Sequence, residues 1–137
     1  MIEPECKSIG DRIFFCATQW NVKDNENSIF VTYGRSNPSK LFKSMARLSF
    51  NTQTEAEEMN ERNVVIETVE PILDNKSIDI DELGRFRHSA CVTYNSNLFI
   101  YGGKVFEQEK SGSRVLNDGY IMDRSLNLKK INVNYTF

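Results

Sequence analysis

Histidine is almost missing from this chain. His88 is the only one in 137 residues, so no two-histidine metal site can form and a single imidazole is on offer as a base. Cysteine is scarce and odd in number. Cys6, Cys16 and Cys91 lack metal-ligand spacing, and the opening Met1-Ile2-Glu3-Pro4-Glu5 is no secretory signal, so they read as reduced, buried thiols. No stretch approaches the ~18 consecutive apolar residues of a membrane span. Nor is there an excess of charge: a net charge of −2 gives no general attraction to nucleic acid or anionic lipid. Glycine-built nucleotide sites are absent too. Gly102-Gly103-Lys104 has no earlier glycine at phosphate-loop spacing and is followed by Val105, and no G-x-G-x-x-G occurs. No Ser/His/Asp arrangement stands out. The expectation is a single cytoplasmic domain that is not an enzyme by itself and holds no cofactor or metal.

What the chain does contain is organised around Arg85–Lys104. There an apolar-rich run, Ala90–Tyr94, a polar break, Asn95-Ser96-Asn97, and a second run, Leu98–Tyr101, lead into Gly102-Gly103. Two short runs joined by an Asn-rich break predict a β-hairpin, ended where only a residue without Cβ can turn or pack closely. The pattern recurs upstream. Arg12-Ile13-Phe14-Phe15-Cys16-Ala17 aligns with Arg85-Phe86-Arg87-His88-Ser89-Ala90, with Phe15 in place of the histidine. The polar break Lys23–Asn27, the strand Ile29–Tyr33 and Gly34-Arg35 then align with Leu98–Lys104, so Tyr33 replaces the first glycine and Arg35 matches Lys104. Third and fourth strands are predicted at Met45–Phe50 and Val64–Val69, and again at Tyr120–Met122 and Leu128–Val133. The second strands are nearly continuous apolar runs, as expected of strands covered on both faces.

Thr54–Met59 has capping-box spacing and could start a short helix. Pro71–Leu83 carries four acids (Asp74, Asp79, Asp81, Glu82) against Lys76 and reads as a linker with a solvated surface. Asn75-Lys76-Ser77 and Asn134-Tyr135-Thr136 match the glycan acceptor pattern, which has no meaning without export. His88 reads as a packed residue bonded to neighbouring backbone. Trp20 and Tyr94 read as packing groups between the two copies. No acid lies between Asn27 and Thr54, where Arg35, Lys40, Lys43 and Arg47 form a basic strip. That strip is either a solvated loop that protects strand edges or a phosphate-facing patch on an RNA-binding assembly.

R-x-x-H-S-A followed by a strand, a turn and an apolar strand ending in Gly-Gly resembles the opening half of a kelch repeat. Its motif residues here are Arg12, Gly34, Arg85, His88, Ser89, Gly102 and Gly103. The resemblance implies an all-β fold of two four-stranded antiparallel blades, a partial β-propeller: blade one at about 10–70, an acidic linker at about 71–84 and blade two at about 85–134. The interval from Arg12 to Arg85 is 73 residues, beyond the ~50 expected of kelch, and Leu128 occupies the usual tryptophan position. Kelch propellers are interaction platforms, which implies a non-catalytic scaffold for a protein partner. A narrower resemblance rests on Ile29–Pro38, Phe86-Arg87-His88-Ser89 and Leu98–Gly103. These are similar to the kelch half of the leucine carboxyl methyltransferase-like enzyme that completes wybutosine in phenylalanine tRNA. It implies a detached propeller portion, with tRNA as partner and no catalytic residue to carry over, since nothing matches the S-adenosylmethionine-dependent half. A third use of kelch domains is substrate recognition in ubiquitin-ligase adaptors, although no BTB or F-box segment supports it. Two such units leave apolar faces at both ends, which predicts self-association or docking against further units.

Overall fold

The computed structural model describes residues 9–23, 26–36, 40–51, 64–73, 78–107 and 112–131. The chain is all-β, built mainly from antiparallel sheets. In the first sheet, β1 (Cys16–Gln19), β2 (Glu26–Thr32), β5 (Met45–Asn51) and β6 (Val64–Val69) lie side by side in that order, all antiparallel. The second sheet runs β8 (Ser89–Val92), β9 (Leu98–Tyr101), β12 (Gly119–Met122) and β13 (Asn127–Ile131), again antiparallel. A fifth strand, β7 (Ile72–Leu73), joins β13 in parallel. Two small ribbons and a 3-10 turn, Ile80–Glu82, complete the described elements; the ribbons pair β3 (Arg35–Ser36) with β4 (Lys40–Leu41), and β10 (Lys104–Phe106) with β11 (Ser113–Val115). No closed barrel or ring forms among the described residues, and none of their helices is long and apolar enough to cross a membrane.

Local chemistry explains the turns. The Asp123 carboxylate accepts from the backbone N–H groups of Ser125 and Asn127 at 2.9 and 3.0 Å, an Asx turn that reverses the chain from β12 into β13. Between β8 and β9, the Thr93 hydroxyl accepts from Asn97 N–H at 3.2 Å and the Ser96 backbone adopts φ +63°. Side chains then alternate across each sheet. From the first sheet Phe30, Met45 and Val69, and from the second Leu98, Ile100, Tyr120, Met122 and Leu128, form one shared core.

The two sheets repeat one set of anchoring contacts. Arg12 donates to the carbonyls of Tyr33 and Ser44 at 3.0 and 2.6 Å, and its guanidinium lies over Phe42. Arg85, fully buried, donates to the Gly102 carbonyl at 3.1 Å and to the Asp118 carboxylate at 2.8 Å, and lies over Tyr120. Ser44 and Asp118 hold the same place, one residue before Met45 and Gly119, which pair with Thr32 and Tyr101. The backbone bridges Ile13 to Arg35 and Phe86 to Lys104 also correspond, as do the positive φ values of Phe14 (53°) and Arg87 (55°).

Several expectations need correcting. The acidic stretch does more than connect: Ile72–Leu73 pair with β13, and Ile78 and Leu83 enter the core. Two short ribbons follow Gly34 and Gly103, where no strand is predicted. Tyr94 is wholly exposed beyond the end of β8 and not packed between the two sheets, whereas Trp20 is buried as expected. Cys91 is exposed and Cys16 half-buried, so the expectation of buried thiols fails for Cys91. The runs of β2 and β9 differ: Phe30 and Val31 are both buried, but in β9 only Leu98 and Ile100 are, leaving Phe99 and Tyr101 half-exposed on the other face. The expected helix at Thr54–Met59, both glycan-pattern segments and Cys6 lie outside the described residues.

The glycine pair shows why its first member could be lost. A Cβ on Gly103 (φ +93°) would sit 2.8 Å from the Phe86 carbonyl oxygen and 2.9 Å from the His88 Cβ; on Gly34 (φ +100°) it would meet Ile13 and Phe15 at 3.0 Å. At Gly102 (φ +71°) the nearest atom is 3.6 Å away, and the equivalent Tyr33 adopts φ +45° with a full side chain. Gly102→Ala should therefore cost about 1–2 kcal/mol, the left-handed backbone penalty alone. Gly103→Ala adds overpacking and should exceed about 3 kcal/mol. Urea unfolding of the two variants checks the difference, and equal costs would refute this account. In the same assay Ser44→Asp, which gives Arg12 the carboxylate that Arg85 already has, should stabilise by about 1 kcal/mol with unchanged m.

Candidate functional site

His88 joins the two sheets. The two-residue bridge of Phe86 with Lys104 and the left-handed backbone at Arg87 turn its imidazole inward, where it is 8% exposed. Nε2 lies 2.7 Å from the Thr32 hydroxyl of the first sheet, and the ring meets Tyr33 edge-on at 5.9 Å. The expected bond to neighbouring backbone is replaced by one to a distant side chain. Burial pushes its pKa down to about 4, and the nearby Arg85 charge adds to that, outweighing the hydrogen bond to Thr32. Nδ1 has no hydrogen-bond partner among the described residues, so a proton there would be left unpaired. A neutral, enclosed imidazole of this kind works as a joint.

The same joint carries backbone bonds. Gly34 N–H donates to Arg85 O at 2.7 Å and Arg87 N–H to Phe14 O at 2.9 Å. Trp20 Nε1 donates to Ser96 O at 2.8 Å, so the first sheet's hairpin holds that of the second. The Asp118 carboxyl opposite Arg85 would be raised by burial, but the hydrogen bond and charge of Arg85 hold it below its ordinary value.

Where the ribbons leave the sheets, rings and guanidinium groups gather. The Arg35 guanidinium lies 5.1 Å from the Phe14 ring, 5.1 Å from Phe86 and 5.5 Å from Phe106. Arg87 also lies over the Phe14 ring, at 4.3 Å, and Phe86 stacks on Phe106 at 5.0 Å. Such contacts are each worth about 0.5–1 kcal/mol when exposed and ~2 kcal/mol when desolvated. Phe14 remains 39% exposed and Arg87 is exposed as well. Beside the cluster, bordered by Phe106, a cleft of about 600 Å³ carries Lys43, Arg114 and Lys130 together with Asp81, Glu82 and Asp118. Its mixed charges contrast with the mostly apolar lining of small-molecule sites.

The basic strip does not converge. Arg35 enters the aromatic cluster, Lys43 pairs with Asp81 at 2.7 Å, Arg47 pairs with Glu67 inside the first sheet, and Lys40 is exposed on β4. The motif residues Arg12, Gly34, Arg85, His88, Gly102 and Gly103 gather at the turns and the joint, and Ser89 opens β8 at the surface. Sequence reasoning passed over Phe14, Phe86, Arg87 and Phe106. The available signal was that both aligned copies carry a bulky residue at the first and second places after the arginine.

No protein-family model matches the chain, and no curated protein matches it. Among solved structures it is similar to a chain in the cryo-EM structure of RAG in complex with one melted RSS and one unmelted RSS. Identity is 15%, the TM-score is 0.63, and 87% of this chain is covered. The match takes in 35% of that chain, so this one spans about a third of its length. At that identity the likeness is one of fold alone.

The His88 environment sets a pH dependence. The folded chain binds the imidazole proton near pH 4, the unfolded chain near 6.5. As pH falls the unfolded state takes up the proton first, so stability is full above 6.5 and declines from there towards about 4. The loss is on the order of 3 kcal/mol. His88→Gln should flatten this decline in urea titrations at stepped pH; an unchanged slope would place its origin elsewhere.

Proposed function

We propose that the chain is a two-blade kelch-type segment of a β-propeller, acting in the cytoplasm as a non-catalytic scaffold for a protein partner. The observation that carries this reading is the repeated anchor: two arginines tie equivalent turns, two glycines pack on equivalent residues, and each set opens a four-stranded antiparallel arrangement. The fold shared with a long solved chain accords with a segment of a larger array. The partner-facing surface is the ribbon end, where Phe14, Arg35, Arg87 and Phe106 present rings and guanidinium groups. Aromatic and arginine side chains dominate the energetics of protein interfaces.

The methyltransferase-linked reading, with tRNA as partner, draws less support. It needs Arg35, Lys40, Lys43 and Arg47 to face one phosphate backbone, yet two of the four are neutralised by Asp81 and Glu67. No residue favours the ubiquitin-ligase adaptor over a general scaffold.

Affinity capture with immobilised wild type and with Phe14→Ala/Arg87→Ala separates these readings. The scaffold reading expects a protein captured by the wild type and retained in high salt. The double variant should weaken that capture about 30-fold, the effect of losing a ~2 kcal/mol hot spot. It also expects no saturable tRNA binding at physiological salt. tRNA affinity that falls steeply with salt, and further in Lys40→Ala, would instead establish the RNA reading.

A further inference from the structure

Reading the two sheets as consecutive copies of one unit gives every residue of the inner joint a counterpart on an outer face. Strand pairing fixes the correspondence: Thr32 sits opposite Cys16 and Met45, and Tyr101 opposite Ser89 and Gly119. On the second sheet, Leu98, Ile100, Met122 and Leu128 are buried against the first sheet. Their counterparts Ile29, Val31, Leu48 and Ile66 occupy the first sheet's outer face, where all but Val31 are only half-buried. A shallow groove of about 380 Å³ bounded by Ala17, Ile29 and Phe50 runs across it. The second sheet's outer face carries Phe99, Tyr101, Ile121 and Ile131, also half-buried.

The joint's central contact has counterparts as well. Inside, Thr32 meets His88. Outside, the place of Thr32 is held by Tyr101 and the place of His88 by Phe15, which is 42% exposed. Both members of a polar pair have become aromatic together. Likewise Thr18 donates across the joint to Ala90 O, and the counterparts Cys91 and Ala17 are both exposed.

We propose that these two outer faces dock on each other between copies of this chain, the first sheet of one copy seating on the second sheet of the next, with Phe15 against Tyr101. The proposal rests on the scaffold reading only through the equivalence of the two sheets. Such a contact is head to tail, so it closes a ring when the rotation allows.

Light scattering across a concentration series tests this with three proteins. Wild type should give a discrete oligomer. Phe15→Arg and Cys91→Arg, each on an exposed side chain of a different face, should each give a monomer at the same concentrations. Their equimolar mixture should form a one-to-one dimer, because each variant keeps the face the other has lost. Phe14→Ala, which the binding reading needs, should leave the oligomer intact, so failure of either idea is visible by itself. A wild type that stays monomeric, an oligomer that survives both arginine variants, or a mixture without dimer overturns the proposal.

Discussion

A guanidinium withdrawn from water must be given acceptors in fixed directions, and at Arg85 that requirement draws three parts of the chain together. Leu83 and Glu82 supply carbonyls from the 3-10 turn before it, Gly102 supplies one from the end of β9, and Asp118 supplies a carboxylate just ahead of β12. Removing either member of such a buried pair leaves the other uncompensated, a loss of about 3–5 kcal/mol. The fan of planar donors suits this work. Nη1 serves the Gly102 carbonyl and the Asp118 carboxylate while Nε and Nη2 serve the carbonyls of Leu83 and Glu82, a spread of directions that the single nitrogen of a lysine does not offer. Arg12 performs the same gathering with weaker acceptors, the carbonyl and hydroxyl of Ser44 in place of a carboxylate.

The other features of each unit follow from that anchor. With the Gly102 carbonyl held by Arg85, the next residue must pass beneath the Phe86–His88 turn, and only a residue without Cβ has room there. The turn in turn aims His88 at Thr32 and Arg87 at Phe14, so the anchor of the second unit sets the central contact of the joint between sheets. The left-handed backbone at Phe14 and Arg87, unfavourable for residues with a Cβ, persists because bridge and joint bonds on both sides leave no alternative.

What could be read from the sequence was what steric and hydrogen-bonding rules force into particular residue types. The two arginines, the glycines Gly34 and Gly103 and the β-branched or aromatic strands belong here, and their alignment needed no knowledge of contacts. The ribbons were hidden because β3–β4 and β10–β11 are short and polar, and look like loops. Ile72–Leu73 was hidden because an acidic neighbourhood masks a two-residue strand. The aromatic cluster draws Phe14, Phe86 and Phe106 from three separate segments, and Lys43 finds Asp81 across 38 residues. Local spacing carries no trace of such pairings. Tyr94 and Cys91 show the converse error: apolar character placed them inside, but strand alternation and the end of β8 put them out.

The contrast between inner and outer joints has an energetic logic. Within one chain the second sheet is tethered to the first, and a tether supplies an effective concentration in the millimolar range. An inner joint can therefore use a hydroxyl–imidazole pair, whose net worth is only about 0.5–1.5 kcal/mol, and still hold. A joint between separate molecules has no tether and must overcome about 4–15 kcal/mol of lost translational and rotational freedom. Apolar area is what overcomes such a cost, and a buried aromatic ring brings about 1.5–3 kcal/mol of it. Phe15 and Tyr101 stand where that demand arises, and Thr32 and His88 where it does not. On the docking proposed above, the irregularity that makes the first copy a poor match to the second, Phe15 in place of histidine, marks the face on which the next copy seats.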